Sequence, residues 1–135
     1  MSNDIKASHR RFVEEVQSQG NIDLVGELIH EEMVNHTPFP GQPGDREGVR
    51  QTFVAIRAAF PDHDAEVIEM IAEGDTVATY KTFTGTHEGE FMGIPPTGRR
   101  VTIRVMDFVR YRDGKIAEHW NIVDQVGLMQ QLDVA

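Results

Sequence analysis

The order of segments in this 135-residue sequence predicts an α+β domain in which N-terminal helices pack on a strongly curved, mainly antiparallel sheet. Apolar residues recur at helical spacing up to about residue 60. From residue 65 onwards they alternate with polar residues, as in strands. Turn dipeptides separate the strands into pairs. Helices followed by an antiparallel meander favour one helical layer against one sheet.

The helices are predicted from caps and apolar stripes. The first is expected to stop at Gly20, and a short second helix to begin at Asn21. An extended piece over 31–37 and a Pro-rich loop follow. A third helix runs from near Asp45 to Pro61, and its apolar stripe belongs in the core: Val49, Phe53, Ile56 and Phe60.

Four strands are predicted in the second half of the chain. Gly74-Asp75 and Asp113-Gly114 each read as the turn of a hairpin. A short helix at about 124–132 closes the chain. The expected strands are residues 65–73, 76–86, 100–112 and 115–123.

Length and composition limit the class of protein. A chain of 135 residues makes a single domain, 1–135. The net charge of −9 argues against a nucleic-acid partner, which needs clustered Lys and Arg. No apolar run is long enough to span a membrane, and no secretory signal is evident at the N-terminus. Cysteine is absent, which excludes thiolate chemistry and is compatible with the cytoplasm.

Asp107 is the main candidate for acid/base chemistry. It stands on a strand face that is otherwise mostly aliphatic, where a carboxylate is costly unless it is paired or hydrogen-bonded. Burial would also raise its pKa towards neutrality, which suits proton transfer. The alternative is a structural carboxylate satisfied by an arginine or by backbone donors.

The register of the last hairpin decides what faces Asp107. A strict two-residue turn at Asp113-Gly114 places Met106 across from Asn121. One bulged residue instead places Asp107 across from Asn121 and brings His119 to the same face. The pattern alone leaves both registers open.

The histidines provide secondary candidates. His36 follows an extended piece and His87 follows a strand, so both could rim a cavity. Besides these two and His119, the chain has three histidines, and all three are expected at the surface: His9, His30 and His63. No pair has the spacing of a zinc site, and no metal is predicted. Five apolar side chains could line either a core or an apolar pocket: Phe83, Phe91, Met92, Met106 and Phe108. Trp120 is expected to anchor a core or an interface, and Phe91, Met92 and Trp120 are the apolar candidates for contact with a substrate.

Two stretches together resemble the SnoaL-like polyketide cyclase family. Residues 84–104 contain four glycines and two adjacent prolines. The second stretch is Asp113-Gly-Lys-Ile-Ala-Glu-His-Trp-Asn-Ile-Val-Asp, followed by Leu128-Met-Gln-Gln-Leu. The resemblance extends from about Val34 to Leu132. It also places the chain in the wider superfamily of scytalone dehydratase, ketosteroid isomerase and nuclear transport factor two.

This resemblance implies a cone-shaped α+β barrel, usually a homodimer, whose cavity binds a small, flat, hydrophobic molecule. Family cyclases close a ring of a polyketide methyl ester by an intramolecular aldol reaction, with neither a cofactor nor a metal. An acid/base residue removes a proton next to a carbonyl, and hydrogen-bond donors stabilise the enolate. The dimer interface would include Phe108, Trp120 and Ile122.

The family's site residues transfer only in part. The acid/base Asp of the cyclases falls at Asn121, and an amide cannot act as a base near pH 7. The assisting His falls at Asp107 and a pocket Gln at Val105, while Asn35 matches a pocket Asn. The alignment favours the bulged register, because both of the first two positions must face the cavity.

The hypothesis that follows makes Asp107 the base and Asn121 a hydrogen-bond donor opposite it. His119 or His36 would relay the proton or polarise a carbonyl. The predicted function is cofactor-free cyclisation, isomerisation or dehydration of a carbonyl compound. Two alternatives remain: a non-catalytic domain that binds a small molecule, and a water-activating hydrolase or hydroxylase.

Overall fold

The computed structural model describes residues 2–133 of the chain. Helix α1 continues into a π-helical segment, Phe12–Ser18, and a 3-10 turn, Ile22–Leu24, precedes α2. The helices are α1 (Ser2–Arg11), α2 (Val25–Leu28), α3 (Arg46–Ala59) and α4 (Gln125–Gln131). The strands are β1 (Ile29–Asn35), β2 (Asp64–Glu73), β3 (Thr76–Thr86), β4 (Arg100–Arg112) and β5 (Lys115–Val123).

The five strands form one sheet in the order β1-β5-β4-β3-β2. β1 runs parallel to β5, and the other neighbours are antiparallel. The helices pack against one face of the sheet. The α+β class with its cone-shaped sheet, N-terminal helices and short C-terminal helix is therefore confirmed.

The two faces of the sheet differ in character. Along β4 the burial alternates strictly, with odd-numbered residues from Val101 to Tyr111 inside and even-numbered residues exposed. The inner face carries the core and the cavities described below. The outer face is unusually apolar and exposes Ile71, Met106, Phe108 and Ile122.

The last hairpin adopts the register that pairs Asp107 with Asn121 and Val109 with His119. The turn itself has two residues, and both Asp113 and Gly114 have positive φ angles, as a type I′ turn requires. The extra residue lies further along β5, where the pairing shifts between Arg110 and Tyr111 of β4. The bulge is thus in the strand and not in the turn.

Most boundaries predicted from the sequence hold to within a residue or two. Strand β1 begins at Ile29, two residues before the extended piece predicted over 31–37, and Ile29 pairs with Ile116 of β5, so that α2 ends at Leu28. The prediction of surface positions for His9 and His63 is wrong, since both side chains are buried. None of the helices in residues 2–133 is both long and apolar enough to cross a bilayer.

Candidate active site

Asp107 lies on the inner face of β4 as half of a buried ion pair. Its Oδ2 is 2.5 Å from Nζ of Lys81, which projects from the inner face of β3. The two side chains are only 3% and 1% exposed, respectively. Thr79 Oγ1 lies 3.5 Å from the same carboxylate oxygen. Since few waters can reach the pair, each charge depends on the other for stabilisation.

His119 of β5 joins this pair through its Nε2, which is 2.8 Å from Asp107 Oδ1. Its Nδ1 lies 3.0 Å from Oδ1 of Asn35 in β1. The backbone N–H of Thr37 donates to that same oxygen, which identifies it as an acceptor. Nδ1 therefore carries a hydrogen, and Nε2 faces a carboxylate. Both ring nitrogens of His119 therefore face oxygen atoms, the amide oxygen of Asn35 and the carboxylate of Asp107.

Gln17 holds the other side of the lysine. Its Oε1 accepts a hydrogen bond from Lys81 Nζ at 2.8 Å. Gln17 belongs to the π-helical segment Phe12–Ser18, in which residues 12, 13, 16 and 17 are buried. Such wide turns often occur at functional sites. Here the segment places a polar side chain of a helix against the charged cluster on the sheet.

The pKa of Asp107 is shifted well below its ordinary value. Burial alone would raise it, but the adjacent Lys81 ammonium and the hydrogen bond from His119 together outweigh that penalty. The expectation of a raised pKa is therefore wrong. The carboxylate stays ionised at neutral pH and is a weak base.

The cluster forms the polar part of an otherwise apolar inner cavity with a volume of about 70 Å³. We call this the first cavity. Its polar lining residues are His9, Gln17, Asn35, Lys81, Asp107 and His119, and its apolar ones include Phe12, Met33, Phe53, Phe83 and Val109.

A further buried group in the first cavity is His9 of α1. Its Nδ1 lies 3.3 Å from the hydroxyl of Tyr111, and its Nε2 has no hydrogen-bond partner among the described residues. Burial and the nearby Lys81 charge lower the pKa of His9 to about 3. The imidazole is therefore neutral at physiological pH.

A second inner cavity of about 90 Å³ lies towards α4 and shares Phe39 and Phe83 with the first. Two residues that sequence reasoning assigned to the substrate, Val105 and Phe91, lie in its wall. His87 is also buried, packed against Phe60, and its Nδ1 accepts a hydrogen bond from the backbone N–H of Thr97.

Other residues selected from the sequence lie away from the cluster. Trp120 and His36 stack on each other at 4.4 Å between ring centroids, and Trp120 lines a groove on the outer face of the sheet. His36 also bonds Glu118. Met92 is 43% exposed in a turn. The structure thus brings Asp107, His119 and Asn35 together. Trp120, His36 and Met92 lie outside this cluster.

Asn121 lies opposite Asp107 in the hairpin. Its backbone N–H donates to Thr37 Oγ1 at 2.9 Å. Among the described residues, however, the hydrogen bonds of the Asp107 carboxylate come from Lys81, His119 and Thr79. Among the described residues, the Asp107 carboxylate is therefore hydrogen-bonded by an ammonium, an imidazole and a hydroxyl, and not by the side-chain amide of Asn121.

Sequence reasoning missed Lys81, Gln17 and His9. The signal for Lys81 was present, because Val77, Thr79, Lys81 and Phe83 alternate along β3 in the same way as the residues around Asp107. An opposite charge on the neighbouring strand is the simplest partner for a buried carboxylate. No such signal marks Gln17 or His9, whose positions depend on the π-helical turn. Within residues 2–133, no three His, Asp or Glu side chains are grouped to hold a metal ion.

A curved sheet with a charged cluster inside an apolar cavity is typical of small proteins that bind or transform hydrophobic molecules. The family model of the SnoaL-like polyketide cyclases matches residues 7–132. The chain is 32% identical over 126 residues to the aklanonic acid methyl ester cyclase DnrD of Streptomyces peucetius, covering 91% of this chain and 86% of that protein.

Two further comparisons point to the same family. The nogalonic acid methyl ester cyclase of Streptomyces nogalater is 32% identical over 117 residues, covering 84% of this chain and 86% of the relative. The crystal structure of IdmH from Streptomyces antibioticus superposes with a TM-score of 0.83 at 37% identity, covering 96% and 99% of the two chains. The chain belongs to the SnoaL-like polyketide cyclase family.

Proposed function

We propose that the first cavity binds a small hydrophobic carbonyl compound of the polyketide type and catalyses proton transfer without a cofactor. The reaction class is cyclisation, isomerisation or dehydration. The observation that carries the proposal is the buried Lys81–Asp107–His119 cluster at an apolar cavity. The names of the two relatives support this class, because both are methyl ester cyclases, and so does the family, which is one of polyketide cyclases.

In the proposed step, Asp107 accepts a proton from a carbon next to a carbonyl group. The electron pair of that C–H bond moves onto the carbonyl oxygen and forms an enolate. Lys81 and His119 donate hydrogen bonds to this oxygen, and the low-polarity surroundings strengthen them. Asn35 and Gln17 hold the two donors in place through their side-chain oxygens. In a cyclisation the enolate carbon attacks a second carbonyl carbon of the ligand, and the oxygen of that carbonyl takes the proton back from Asp107. In an isomerisation Asp107 returns the proton to a different carbon, and in a dehydration a hydroxyl group leaves with that proton as water.

The low pKa of Asp107 narrows the substrate class. A weakly basic carboxylate removes protons efficiently only from an acidic carbon, such as one flanked by two carbonyl groups. Polyketides contain such carbons along the chain. The same Lys81 and His119 that lower the basicity of Asp107 would stabilise the product enolate.

The small volume of the first cavity limits the ligands that can bind without a structural change. Binding sites for drug-sized molecules usually occupy about 300–1,000 Å³, whereas the first cavity has about 70 Å³. A multi-ring ligand therefore needs Phe39 or Phe83, which separate the two cavities, to move. Phe39 is the simpler choice because it lies in the loop between β1 and α3.

The first test is Asp107→Asn. We expect the deuterium exchange that the protein catalyses at the central carbon of a simple 1,3-diketone to fall by about 100-fold or more, because the proton acceptor is lost. NMR in D2O measures the exchange, and circular dichroism confirms the fold. Val54→Ala at an exposed position of α3 is the control and should keep the full rate.

An unchanged rate in Asp107→Asn would exclude Asp107 as the base. A ligand that binds and stays unaltered, with no exchange in the wild type, would instead identify a binding domain. Incorporation of oxygen from labelled water into a product would identify a hydrolase or hydroxylase.

We also propose that the chain forms a homodimer through the outer face of the sheet. A groove of about 400 Å³ there is lined mainly by apolar residues and also by Glu69, and the guanidinium of Arg110 lies 5.6 Å from the ring of Trp120 in its wall. A patch with both charges can complement itself across a two-fold axis. Ile122→Asp, at a side chain 75% exposed in one chain, should halve the mass measured by light scattering. A wild-type monomer would refute the proposal.

We propose that the protein is located in the cytoplasm, as the sequence predicts. A chain without cysteine cannot form the disulfide bonds that an oxidising compartment favours.

A further inference from the structure

The mainly apolar wall of the second cavity includes a residue with a buried polar atom that makes no hydrogen bond with any described residue. His63 lies in its wall, and the side chain is 5% exposed. Most of the remaining wall is aromatic or aliphatic, including Phe60, Phe83, Phe91, Val101, Ile103 and Leu128. Nε2 of His63 is buried and has no hydrogen-bond partner among the described residues.

The hydrogen-bonding of the other nitrogen fixes the tautomer of His63. Its Nδ1 is 2.9 Å from the backbone carbonyl oxygen of Gln17, which can only accept a hydrogen bond. Nδ1 must therefore carry the hydrogen. Burial lowers the pKa of His63 to about 4, so the ring is neutral near pH 7. Its Nε2 is then a bare lone pair and can only accept.

An unpaired buried acceptor of this kind is unfavourable, because it has lost its hydrogen bonds with water and gained none in the protein. A water molecule is a poor remedy, because a buried water needs two to four polar partners and the surrounding wall is mainly apolar. A ligand that is itself apolar but carries one O–H group would satisfy His63 and fill the space.

We infer that the second cavity is a binding subsite for a hydroxyl-bearing ring, a phenol or a cyclic enol, whose O–H donates to Nε2 of His63. The inference deepens the proposed function and rests on it only in assigning this ring to the substrate. Nothing else in the wall offers a comparable bare acceptor on a ring nitrogen.

Two contacts link this subsite to the charged cluster. The ring centroid of Phe83 lies 4.8 Å from that of His63 and 5.1 Å from Lys81 Nζ. Gln17 accepts from His63 through its backbone and from Lys81 through its side chain. A ligand that displaces Phe83 or Phe39 would place a carbonyl oxygen at Lys81 and a hydroxyl group at His63. The substrate class is therefore an elongated, hydroxylated carbonyl compound.

The test compares phenol with fluorobenzene, which has nearly the same shape and no donor. A purely apolar cavity would prefer fluorobenzene, since burying an unpaired hydroxyl is unfavourable. We expect the wild type to bind phenol at least about fivefold more tightly, as one additional hydrogen bond implies. Titration of the methyl resonances of Val101, Ile103 and Leu128 by NMR measures both dissociation constants.

The variant His63→Phe keeps a ring and removes the acceptor, so the order of the two affinities should reverse. Leu128→Met alters the wall and keeps the acceptor, so the preference for phenol should persist. The nitrogen shifts of His63 in the wild type provide a measurement that needs no variant, and Nδ1 should be the protonated atom.

Three outcomes would overturn the inference: a wild-type preference for fluorobenzene, failure of both compounds to bind, or a hydrogen on Nε2 of free His63. These measurements involve no turnover. Loss of exchange activity in Asp107→Asn therefore tests the proposed function separately from the subsite.

Discussion

At the scale of single residues, Lys81 and Asp107 depend on each other. Neither has access to bulk water, so removing one leaves an uncompensated charge in the interior. Such changes usually cost about 3–5 kcal/mol, whereas replacing both partners can be close to neutral. The pair is thus retained at a cost that a catalytic role would explain.

A double-mutant cycle tests this dependence. Lys81→Met should lower the free energy of unfolding by about 3–5 kcal/mol, because Asp107 loses its ammonium partner and keeps only the hydrogen bonds with His119 and Thr79. Adding Asp107→Asn to it should restore about 2 kcal/mol. Urea denaturation of the four proteins at pH 7 provides the energies, and simple additivity would contradict the coupling.

Half of this site could be predicted from the sequence. Alternation along β4 singles out Asp107 because its neighbours on that face are aliphatic. Its environment could not be predicted, since the pKa depends on whether the buried partner is a cation. The same alternation along β3 contains Lys81, and combining the two strands would have reversed the expected direction of the pKa shift.

At the scale of elements, the start of α3 is fixed by a close approach. Asp45 caps the helix by accepting a hydrogen bond from the backbone N–H of Gly48 at 2.9 Å. A Cβ atom at Gly48 would lie only 2.0 Å from the backbone oxygen of Pro43. The Pro-rich loop therefore folds directly over the first turn and brings Phe39 to the cavities.

Gly48→Ala should therefore destabilise the protein, although alanine is normally better than glycine in a helix by about 1 kcal/mol. Gly26→Ala in α2 is the matched control, because a Cβ atom there meets nothing within 4 Å. We expect Gly26→Ala to be neutral or stabilising. Thermal unfolding gives the melting temperature of each variant. Equal melting temperatures would show that the Pro-rich loop moves aside to accommodate the added methyl group.

The strand ends and α3 follow from the sequence because turn dipeptides, caps and apolar periodicity agree there. The register of the hairpin formed by β4 and β5 does not follow from the sequence. The Asp113-Gly114 turn predicts a two-residue turn, which the structure has, but the bulge that brings Asp107 opposite Asn121 lies inside β5. A strand bulge has no reliable local sequence signal, because packing of the neighbouring strands determines it.

At the scale of the whole molecule, two buried neutral histidines link stability to pH. The pKa values of His9 and His63 fall from 6.5 to about 3 and about 4. Between these values and 6.5 the unfolded chain binds more protons than the folded one. The stability that these residues contribute is complete above pH 6.5 and is lost as the pH falls towards 4 and 3.

The free energy of unfolding should therefore decrease from pH 6.5 to 4.5 by up to about 1.4 kcal/mol per pH unit for each histidine. His63→Phe removes one of the two and should reduce the slope accordingly. Urea titrations at several pH values measure it. A flat profile in the wild type over this range would show that the rings are not held neutral.

The wide π turn before Ser18 has a consequence for how this chain could change over evolutionary time. Each residue of an α-helix advances the direction of its side chains by about 100°. A π turn contains one residue more than the α turn that it replaces, so deleting a single residue between 12 and 16 would restore regular α-helical winding and keep the direction of the preceding helix nearly unchanged. Inserting one residue there would instead rotate the preceding helix by about 100° and turn His9 away from the first cavity, so insertions at this point should be far rarer than in the loops.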